Sequence, residues 1–201
     1  KAIVKHPEFQ PEINRNALSL FLRHNYIPSP YSIYNGINKL PPGHILEFSI
    51  NNENLKLTSY WNYKGIIEAN LMTQFKEERE AIEEIESLLI NSVKQQMISD
   101  VPIGAFLSGG IDSSTIVALM QSQSSNPIKT FSIGFHEESF NEADYAKAIA
   151  NYLGTDHTEL YLGINELLDV IPNIPNIYDE PFSDSSQIPT YIVSKLASNY
   201  V

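Results

Sequence analysis

Two adjacent glycines between serines, followed by an aspartate, form the stretch of this sequence best suited to chemistry. The segment reads Leu107-Ser108-Gly109-Gly110-Ile111-Asp112-Ser113-Ser114. Gly109 and Gly110 lack a Cβ, so the backbone N–H groups beside them can approach an anion closely and the chain can adopt positive φ angles. The hydroxyl groups of Ser108, Ser113 and Ser114 add further donors. These residue types predict a loop that binds phosphate groups.

Asp112 decides which kind of phosphate site the segment predicts. A carboxylate beside a phosphate repels it unless a divalent cation lies between them, and Mg²⁺ commonly bridges carboxylate and phosphate oxygens. Asp112 is therefore predicted to bind Mg²⁺, directly or through water. The alternative is an N-cap that stabilises the start of a helix by about 1 kcal/mol without touching a ligand. The serine and glycine context after an apolar strand favours the metal.

The elements around this segment predict a parallel sheet wrapped in helices. An apolar run at 103–107 precedes the loop and a helix at 115–120 follows it, and then come a strand at 129–135, a helix at 141–152 that Gly154 should end, and a strand at 157–162. Strands that alternate with helices at this interval form parallel sheets, which bind ligands at the carboxyl ends of their strands. A helix that begins there points its free N–H groups and its positive dipole at the ligand.

The first third of the chain differs in pattern and predicts a separate α+β region. A short helix is expected at 17–22, and two runs at 44–50 and 55–60 joined by a polar loop predict a β-hairpin. An amphipathic helix follows, with apolar residues at helical spacing: Ile82, Ile85, Leu89 and Val93. We assign residues 1–65 to a first domain and 66–201 to a second.

Composition and charge argue against several classes of protein. The 201 residues are 42% hydrophobic and 18% charged, which is typical of a globular protein. Acidic residues outnumber basic ones by 24 to 13, and no basic cluster occurs, so binding to nucleic acid or to an anionic membrane is not expected. The chain has no cysteine, and its five histidines are scattered, so zinc is not expected either. No basic-then-apolar leader opens the chain and no apolar run approaches the ~18 residues of a membrane span; together with the lack of cysteine, this leads us to expect a cytoplasmic protein.

Further motifs accompany the loop in a fixed order along nearly the whole chain. They are Tyr26-Ile27-Pro28, Ile37 to His44, Tyr60-Trp61, Val101 to Leu107, Thr130 to Phe135, Phe140 to Ala143, Leu153-Gly154 with His157, Asp179 to Phe182, and Ile188 to Tyr191. Together with the loop they resemble the glutamine-hydrolysing asparagine synthetases. The early motifs resemble the end of that family's glutaminase domain, and the later ones resemble its synthetase domain, an N-type ATP pyrophosphatase with an adenine nucleotide alpha hydrolase-like fold.

The resemblance implies a ligase that adenylates the side chain of aspartate with ATP and forms asparagine, AMP and pyrophosphate with glutamine-derived ammonia. It also implies that the backbone at Leu107 and Ile133 contacts the adenosine, that the loop from Ser108 to Ser114 holds the pyrophosphate, and that Asp112 serves Mg²⁺. Without the resemblance, Ile133 would be an ordinary core residue of a strand. The implied partners are small molecules (aspartate, and glutamine or ammonia), and a homodimer stays open.

Three features keep alternatives open. The family's glutaminase nucleophile is an N-terminal cysteine, and this sequence contains no cysteine. A second motif that binds the phosphates is expected after Val201. The chain is therefore expected to carry half an active site. Residues 178–186 are candidates for the acceptor pocket or for a solvated loop before a helix at 187–198. Residues 163–194 include no Arg or Lys to pair with the α-carboxylate of aspartate.

The alternatives to aspartate amidation follow from these features. A related ATP pyrophosphatase could act on another carboxylate, as in β-lactam-forming or sugar-modifying relatives. The other alternative is a fragment that binds nucleotide without catalysing a reaction. Glu137, close to the end of a predicted strand, is a further and weaker candidate for a metal ligand.

Overall fold

A β-hairpin precedes three strands that alternate with helices along the chain. The computed structural model describes residues 1–51, 53–71, 73–136 and 142–201. The strands are β1 His44–Ser49, β2 Asn54–Ser59, β3 Gly104–Phe106, β4 Lys129–Phe135 and β5 Asp156–Leu162. The α-helices are α1 Arg15–His24, α2 Tyr63–Asn70, α3 Glu78–Gln96, α4 Ile111–Ser122, α5 Ala143–Leu153, α6 Ile164–Val170, α7 Ile174–Ile177 and α8 Gln187–Ala197.

The described residues divide into two compact units. The first unit comprises Lys1–Gln74 together with Ile174–Asp184, and the second comprises Phe75–Asn173 together with Ser185–Val201. Each unit therefore contains two stretches of the chain. Among the described residues, none of the helices combines the length and the apolar character that crossing a membrane requires.

In the first unit, helix α1 starts at a well-formed cap and covers a small apolar core. Asn14 is the N-cap residue, and its side chain accepts hydrogen bonds from the backbone N–H groups of Asn16 and Ala17 at 3.0 and 3.1 Å. Asparagine is a favoured N-cap because its side-chain oxygen satisfies these otherwise unpaired donors. The buried side chain of Ala17 packs with Ile27 and Ile33. The short helix predicted here is confirmed and is two residues longer at each end.

The predicted hairpin is also confirmed. Strands β1 and β2 pair antiparallel, with His44 opposite Ser59 and Ser49 opposite Asn54. Each strand ends one residue earlier than the apolar runs suggest.

The second unit is built on a parallel sheet in the order β3-β4-β5. Gly104 is in register with Lys129 in the first pair, and Thr130 is in register with His157 in the second. The bounds of β4 are those that the sequence predicts. The predicted fold class, a parallel sheet with flanking helices preceded by an α+β region, is confirmed.

Helices pack on both faces of the central strand β4. Phe131 packs with Val193 and Ala197 of α8. Because side chains alternate along a strand, Thr130, Ser132 and Gly134 project to the other face, where α5 lies. A third group of buried side chains joins α3, α4 and the residue before β4: Val93, Met120 and Ile128. The central strand of the sheet is therefore covered on both sides, as is usual in parallel sheets.

Some helix bounds differ from the sequence prediction. Helix α4 begins at Ile111, four residues before the expected start, so the first turn of the helix includes most of the polar loop. Helix α5 begins at Ala143, and residue 141, where its start was expected, lies outside the described residues. Gly154 ends α5 with a φ of 71°, as predicted. Helices α2, α6 and α7 were not predicted, because eight or fewer residues give too few turns for a hydrophobic period to be read.

Two isoleucines give a test of this core. Ile128 is 8% exposed within the cluster that joins α3 and α4, whereas Ile98 is 84% exposed. Replacing Ile128 with Ala should lower the free energy of unfolding by about 2–5 kcal/mol through lost burial and a cavity. The matched change Ile98→Ala should stay within about 0.5 kcal/mol of wild type. Urea denaturation measures both, and equal losses at the two positions would contradict this packing.

Candidate nucleotide-binding site

The serine–glycine loop leaves the carboxyl end of β3 and leads directly into α4. The N–H of Leu107, a residue only 1% exposed, donates to the carbonyl of Phe131 at 2.9 Å and fixes the start of the loop against β4. Gly110 occupies the N-cap position of α4 without a side chain to cap the helix. Within the described part of the chain, no acceptor pairs with the backbone N–H groups of the first turn, which belong to Ile111, Asp112 and Ser113. These donors form the kind of helix terminus that binds anions.

The loop holds its shape through its own hydrogen bonds. The hydroxyl oxygens of Ser108 and Ser113 lie 2.9 Å apart, and the Ser113 oxygen also accepts from the N–H of Ser108 at 3.3 Å. The N–H of Gly110 donates to Ser108 Oγ at 3.3 Å. Ser114 Oγ donates to the carbonyl of Gly110 at 2.6 Å, so its single proton is in use. A contact from this proton to a phosphate would require the hydroxyl to rotate away from that carbonyl.

The two glycines of the loop differ in whether the fold would tolerate a side chain at their positions. Gly109 has a φ of +82°, and a Cβ built on it would lie 2.8 Å from Tyr145 Cβ and 2.9 Å from the backbone nitrogen of Ala146 in α5. Gly110 has a φ of −73°, and the nearest atom to its Cβ would be Ser108 Oγ at 3.4 Å, an ordinary contact. The sequence predicted that both glycines could adopt a positive φ, and of the two only Gly109 does so. Nothing inside the described fold requires Gly110 to lack a side chain.

Asp112 is the second residue of α4, so the N-cap alternative is wrong: the N-cap is Gly110. The carboxylate is exposed, and within the described residues it forms no hydrogen bond or ion pair. A carboxylate in the first turn stabilises a helix through the dipole, by about 0.3–1 kcal/mol. That contribution leaves the carboxylate oxygens available to a cation.

The residues present fit a metal that is bound partly through the nucleotide. Among the described residues, no group of three or more His, Cys, Asp or Glu side chains is placed to hold a metal ion. Mg²⁺ is usually bound through one or two carboxylates, with phosphate oxygens and water as the other ligands. Asp112, beside the unpaired N–H groups of α4, meets that requirement. Glu137, the weaker candidate, lies outside the described residues.

A cavity of about 350 Å³ opens at the carboxyl ends of β3 and β4. Its size falls within the range of about 300–1,000 Å³ common for small-molecule sites. Three of the residues predicted for the nucleotide line it: Leu107, Ser108 and Ile133. The other predicted residues, from Gly109 to Ser114, do not line the cavity but continue the chain directly from Ser108. A ligand that fills the cavity and extends along the chain would therefore meet the loop next.

Ile133 can serve the core and a ligand at once. Its partly buried side chain packs against the cluster of Phe131, Val193 and Ala197. Its backbone groups point to the same side of β4 as those of Phe131, because the direction of N–H and C=O alternates along a strand. On that side β3 has already ended at Phe106. A role for Ile133 in the core and a contact with a ligand are thus compatible, because the core uses its side chain and the contact would use its backbone.

Sequence reasoning missed the helical wall of the cavity. Residues of α8 and its N-cap line it at helical spacing: Ser186, Pro189, Thr190 and Val193. Two aromatic side chains, Phe106 and Phe135, complete much of the apolar lining. The spacing of i, i+3, i+4 and i+7 was available in the sequence as a sign of one helix face. It did not reveal that this face meets a cavity.

The candidates for an acceptor pocket do not lie together in one unit. Asp179 and Glu180 belong to the first unit, whereas Ser185 and Ser186 belong to the second. Glu180 forms an ion pair with Lys39 and is therefore engaged within its own unit. Of these residues, Ser186 is the one that lines the cavity.

A buried polar network lies behind the cavity, between β4, β5 and α5. The ring nitrogens of His157 lie 2.8 Å from Thr130 Oγ1 and 3.2 Å from Ser132 Oγ, and Ser132 also borders the cavity. Glu159 Oε1 lies 3.7 Å from the ring, and the other oxygen pairs with Lys147 at 3.2 Å. Burial lowers the pKa of His157, with the charge of Glu159 opposing the shift and that of Lys147 adding to it. The neutral ring therefore suits this network.

Comparison with known proteins identifies the family. The family model described as asparagine synthase matches residues 84–201, and the model described as glutamine amidotransferase domain matches residues 1–61. The chain belongs to the asparagine synthase family, and the resemblance seen in the sequence is confirmed.

Curated relatives are consistent with this family. A putative glutamine-hydrolysing asparagine synthetase 2 of Methanocaldococcus jannaschii is 39% identical over 202 residues, a match that covers 98% of this chain and 37% of the relative. The glutamine-hydrolysing asparagine synthetase 1 of Bacillus subtilis is 34% identical, covering 94% of this chain and 29% of the relative. The chain thus spans about a third of the length of these relatives.

A solved structure of NH3-dependent NAD synthetase from Campylobacter jejuni is also similar to this chain. The identity is 12% and the TM-score is 0.41, with 59% of this chain and 51% of that chain covered. A likeness of this size carries no argument about fold or function.

The loop glycines provide a matched pair of substitutions. Gly109→Ala places a Cβ against the backbone of α5 at a positive φ, and should lower the free energy of unfolding by more than about 1 kcal/mol. Gly110→Ala places a Cβ in ordinary contact and should stay within about 0.5 kcal/mol of wild type. Urea denaturation compares the two variants. Equal destabilisation would show that the approach of the loop to α5 is not as described.

The His157 network predicts a dependence of stability on pH. Because the folded state holds the pKa of His157 below its ordinary value of about 6.5, the unfolded chain takes up the proton more readily. The stabilisation is complete above about pH 6.5 and is lost as the pH falls through the folded-state pKa. Between pH 7 and 5, Tm should therefore fall more steeply in wild type than in His157→Gln. The control His24→Gln, at the exposed end of α1, should keep the wild-type slope; equal slopes in all three proteins would contradict this interpretation.

Proposed function

We propose that this chain supplies the nucleotide-binding part of an ATP-dependent ligase that forms asparagine from aspartate and glutamine-derived ammonia. Relatives that bear the name glutamine-hydrolysing asparagine synthetase and the family itself support this proposal. The observation that carries it is geometric. A cavity at the carboxyl ends of two parallel strands lies next to a helix start whose N–H groups are unpaired among the described residues.

In the proposal, the adenosine and the pyrophosphate of ATP bind at two neighbouring parts of the site. The adenosine would lie in the cavity, with the backbone at Leu107 and Ile133 as its contacts. The pyrophosphate would lie along the loop from Ser108 to Ser114, against the start of α4. Among the described residues no Lys or Arg lines the cavity, and none occurs in the loop, so anion binding depends on backbone N–H groups and the helix dipole. This arrangement suits an acidic chain with a net charge of −11.

Asp112 would hold Mg²⁺ in this proposal, with the remaining ligands supplied by phosphate and water. When bound, such an ion would supply positive charge that offsets the negative charge of the pyrophosphate. The role of the protein is to present one carboxylate at the start of α4 that has no partner among the described residues. An ion pair within the protein would compete with the cation for the same oxygens.

The reaction proceeds in two substitutions. An oxygen of the aspartate side chain attacks the α-phosphorus of ATP, and the bond to the β-phosphate breaks to release pyrophosphate. Ammonia then attacks the activated carbonyl carbon, the bond to AMP breaks, and a proton leaves the nitrogen to give the amide. The N–H groups at the start of α4 favour the first step, because they stabilise the charge that develops on the leaving group.

The α-carboxylate of aspartate, the proposed acceptor, is expected to pair with an Arg or Lys side chain. Residues 163–194 contain neither. In the proposal that cation comes from elsewhere in the full protein. We also propose a cytoplasmic location, where ATP and free amino acids are available to such a ligase.

Asp112→Asn tests the proposal in the full-length protein. The change keeps the size of the side chain but removes the charge, and aspartate-dependent exchange of labelled pyrophosphate into ATP should fall by at least about 100-fold. Asp100→Asn, an exposed aspartate before β3, should leave the exchange unchanged. If Asp112→Asn exchanged at the wild-type rate, its assigned role would be wrong. Wild-type exchange with a different carboxylate and none with aspartate would reject the proposed acceptor.

A further inference from the structure

One charged side chain lies among the residues that line the nucleotide cavity. Within the described part of the lining, Glu142 alone has an ionisable side chain, and the other residues are apolar or carry a hydroxyl group. The cavity and the loop belong to the second compact unit, and so does Glu142. The carboxylate of Glu142 is therefore the strongest polar group that the cavity offers to a ligand.

The backbone of Glu142 has a defined place at the start of α5. Its carbonyl accepts a hydrogen bond from the N–H of Ala146 at 3.1 Å. The next residue, Ala143, is 0% exposed, and a Cβ built on Gly134 of β4 would lie 3.0 Å from its Cβ. One turn later, the backbone nitrogen of Ala146 would lie 2.9 Å from a Cβ built on Gly109. The start of α5 thus packs against both β4 and the loop.

The side chain of Glu142 has no partner among the described residues. It is exposed, and although Glu142 holds the N-cap position of α5, its carboxylate accepts no hydrogen bond from the first turn of that helix. Two other polar residues of the lining are already engaged, since Ser132 contacts His157 at 3.2 Å and Ser108 contacts Ser113 at 2.9 Å. The carboxylate of Glu142 is therefore available to a ligand.

The charge of a carboxylate determines which part of a nucleotide it can contact. An ionised carboxylate accepts hydrogen bonds and cannot donate them, so it attracts hydroxyl and amino groups. It repels phosphate groups, and apolar surroundings weaken the screening of that repulsion. The phosphates have another place, at the N–H groups of the start of α4 that are unpaired among the described residues. The nucleoside end of ATP therefore suits the position beside Glu142.

The ribose hydroxyls are the donors of the nucleoside that best match this carboxylate. On the side where β3 has ended, the backbone of Ile133 offers an N–H and a C=O, which are the donor and the acceptor that the amino edge of adenine needs. The two neighbouring hydroxyls of the ribose still need an acceptor, and a carboxylate has two oxygens to offer. In other parallel-sheet nucleotide sites, an acidic residue beyond the glycine-rich turn accepts a hydrogen bond from a ribose hydroxyl.

We propose that Glu142 accepts a hydrogen bond from the ribose of ATP and makes the site selective for ribonucleotides over deoxyribonucleotides. The inference rests on the proposed function in taking ATP as the occupant of the cavity. Glu142 takes no part in the bonds that form and break, and its contribution is to recognition.

Binding to the full-length protein tests this role without turnover. In equilibrium dialysis with Mg²⁺ and no acceptor, wild type should bind 2′-deoxy-ATP or 3′-deoxy-ATP about tenfold more weakly than ATP, because a hydrogen bond to a charged group is lost. Glu142→Ala should bind ATP about tenfold more weakly than wild type does. The variant should bind ATP and the discriminated analogue equally, within about twofold, because the same hydrogen bond is absent in both cases.

Two further ligands distinguish a contact with the ribose from other roles of Glu142. Purine riboside triphosphate lacks the amino group of adenine but keeps both hydroxyls, so Glu142→Ala should weaken its binding by the same factor as that of ATP. Inorganic pyrophosphate with Mg²⁺ has no nucleoside and should bind equally to both proteins. A variant that loses its preference for the amino group instead, or that binds pyrophosphate tenfold more weakly, would overturn the inference.

Asp144 provides the control variant. It is a second exposed acidic residue at the start of α5, but it does not line the cavity. Its carboxylate interacts with the same helix dipole, so Asp144→Ala matches the electrostatic change at the helix and should keep the wild-type Kd for every ligand. A lower Tm for Glu142→Ala with an unchanged preference for ATP over the deoxy analogues would show a purely structural role and contradict the inference.

The inference and the proposed function fail in different ways. A wild-type protein that binds ATP but forms no amide contradicts the proposed function, and the Kd values of the analogues still decide the role of Glu142. A wild-type protein that binds no ATP overturns both.

Discussion

In the proposed function, an acidic chain holds a polyphosphate without basic side chains, and this condition constrains the second unit. In the part of the chain that the structure describes, no Lys or Arg lines the cavity, and the loop contains none, so in this proposal the backbone N–H groups provide the donors. Such groups are free at the start of a helix, and they can face a ligand when the helix begins at the end of a strand. In this chain the helix is α4, which starts four residues after Leu107, and the buried Leu107 is fixed against β4. The sheet therefore matters to the site mainly because it places that helix start.

Helix α5 takes part in the same arrangement. Gly109 approaches its backbone so closely that a single methyl group would clash with it. Behind α5, His157 connects β5 to Thr130 and Ser132 of β4 by hydrogen bonds, and Ser132 borders the cavity. Buried hydroxyl and imidazole groups of this kind are satisfied only in one arrangement of the strands. The network thus gives the strand that carries Ile133 a defined position relative to β5.

The placement of the segment Ile174–Asp184 changes how the division of the chain is understood. Family models divide the sequence into a stretch that ends at residue 61 and one that begins at residue 84. The compact units do not follow that division, since Ile174–Asp184 packs within the first unit. An ion pair at Glu180 and a backbone hydrogen bond at Ser183 account for this placement. Sequence patterns could not reveal it, because Glu180 and Lys39 are 141 positions apart and each resembles an ordinary surface charge.

Local patterns in the sequence were sufficient to predict the parallel sheet, the hairpin and the order of the main helices, because hydrophobic periodicity and the positions of glycines are local properties. The sequence also pointed to the segment from Leu107 to Ser114, whose residue types have few other uses together. The packing of distant elements decided that Gly110 and not Asp112 caps α4, and that one face of α8 lines the cavity together with Leu107 and Ile133. These outcomes depend on which surfaces pack against each other across many residues of chain. Burial and through-space contacts between distant elements are not encoded in the spacing of neighbouring residues.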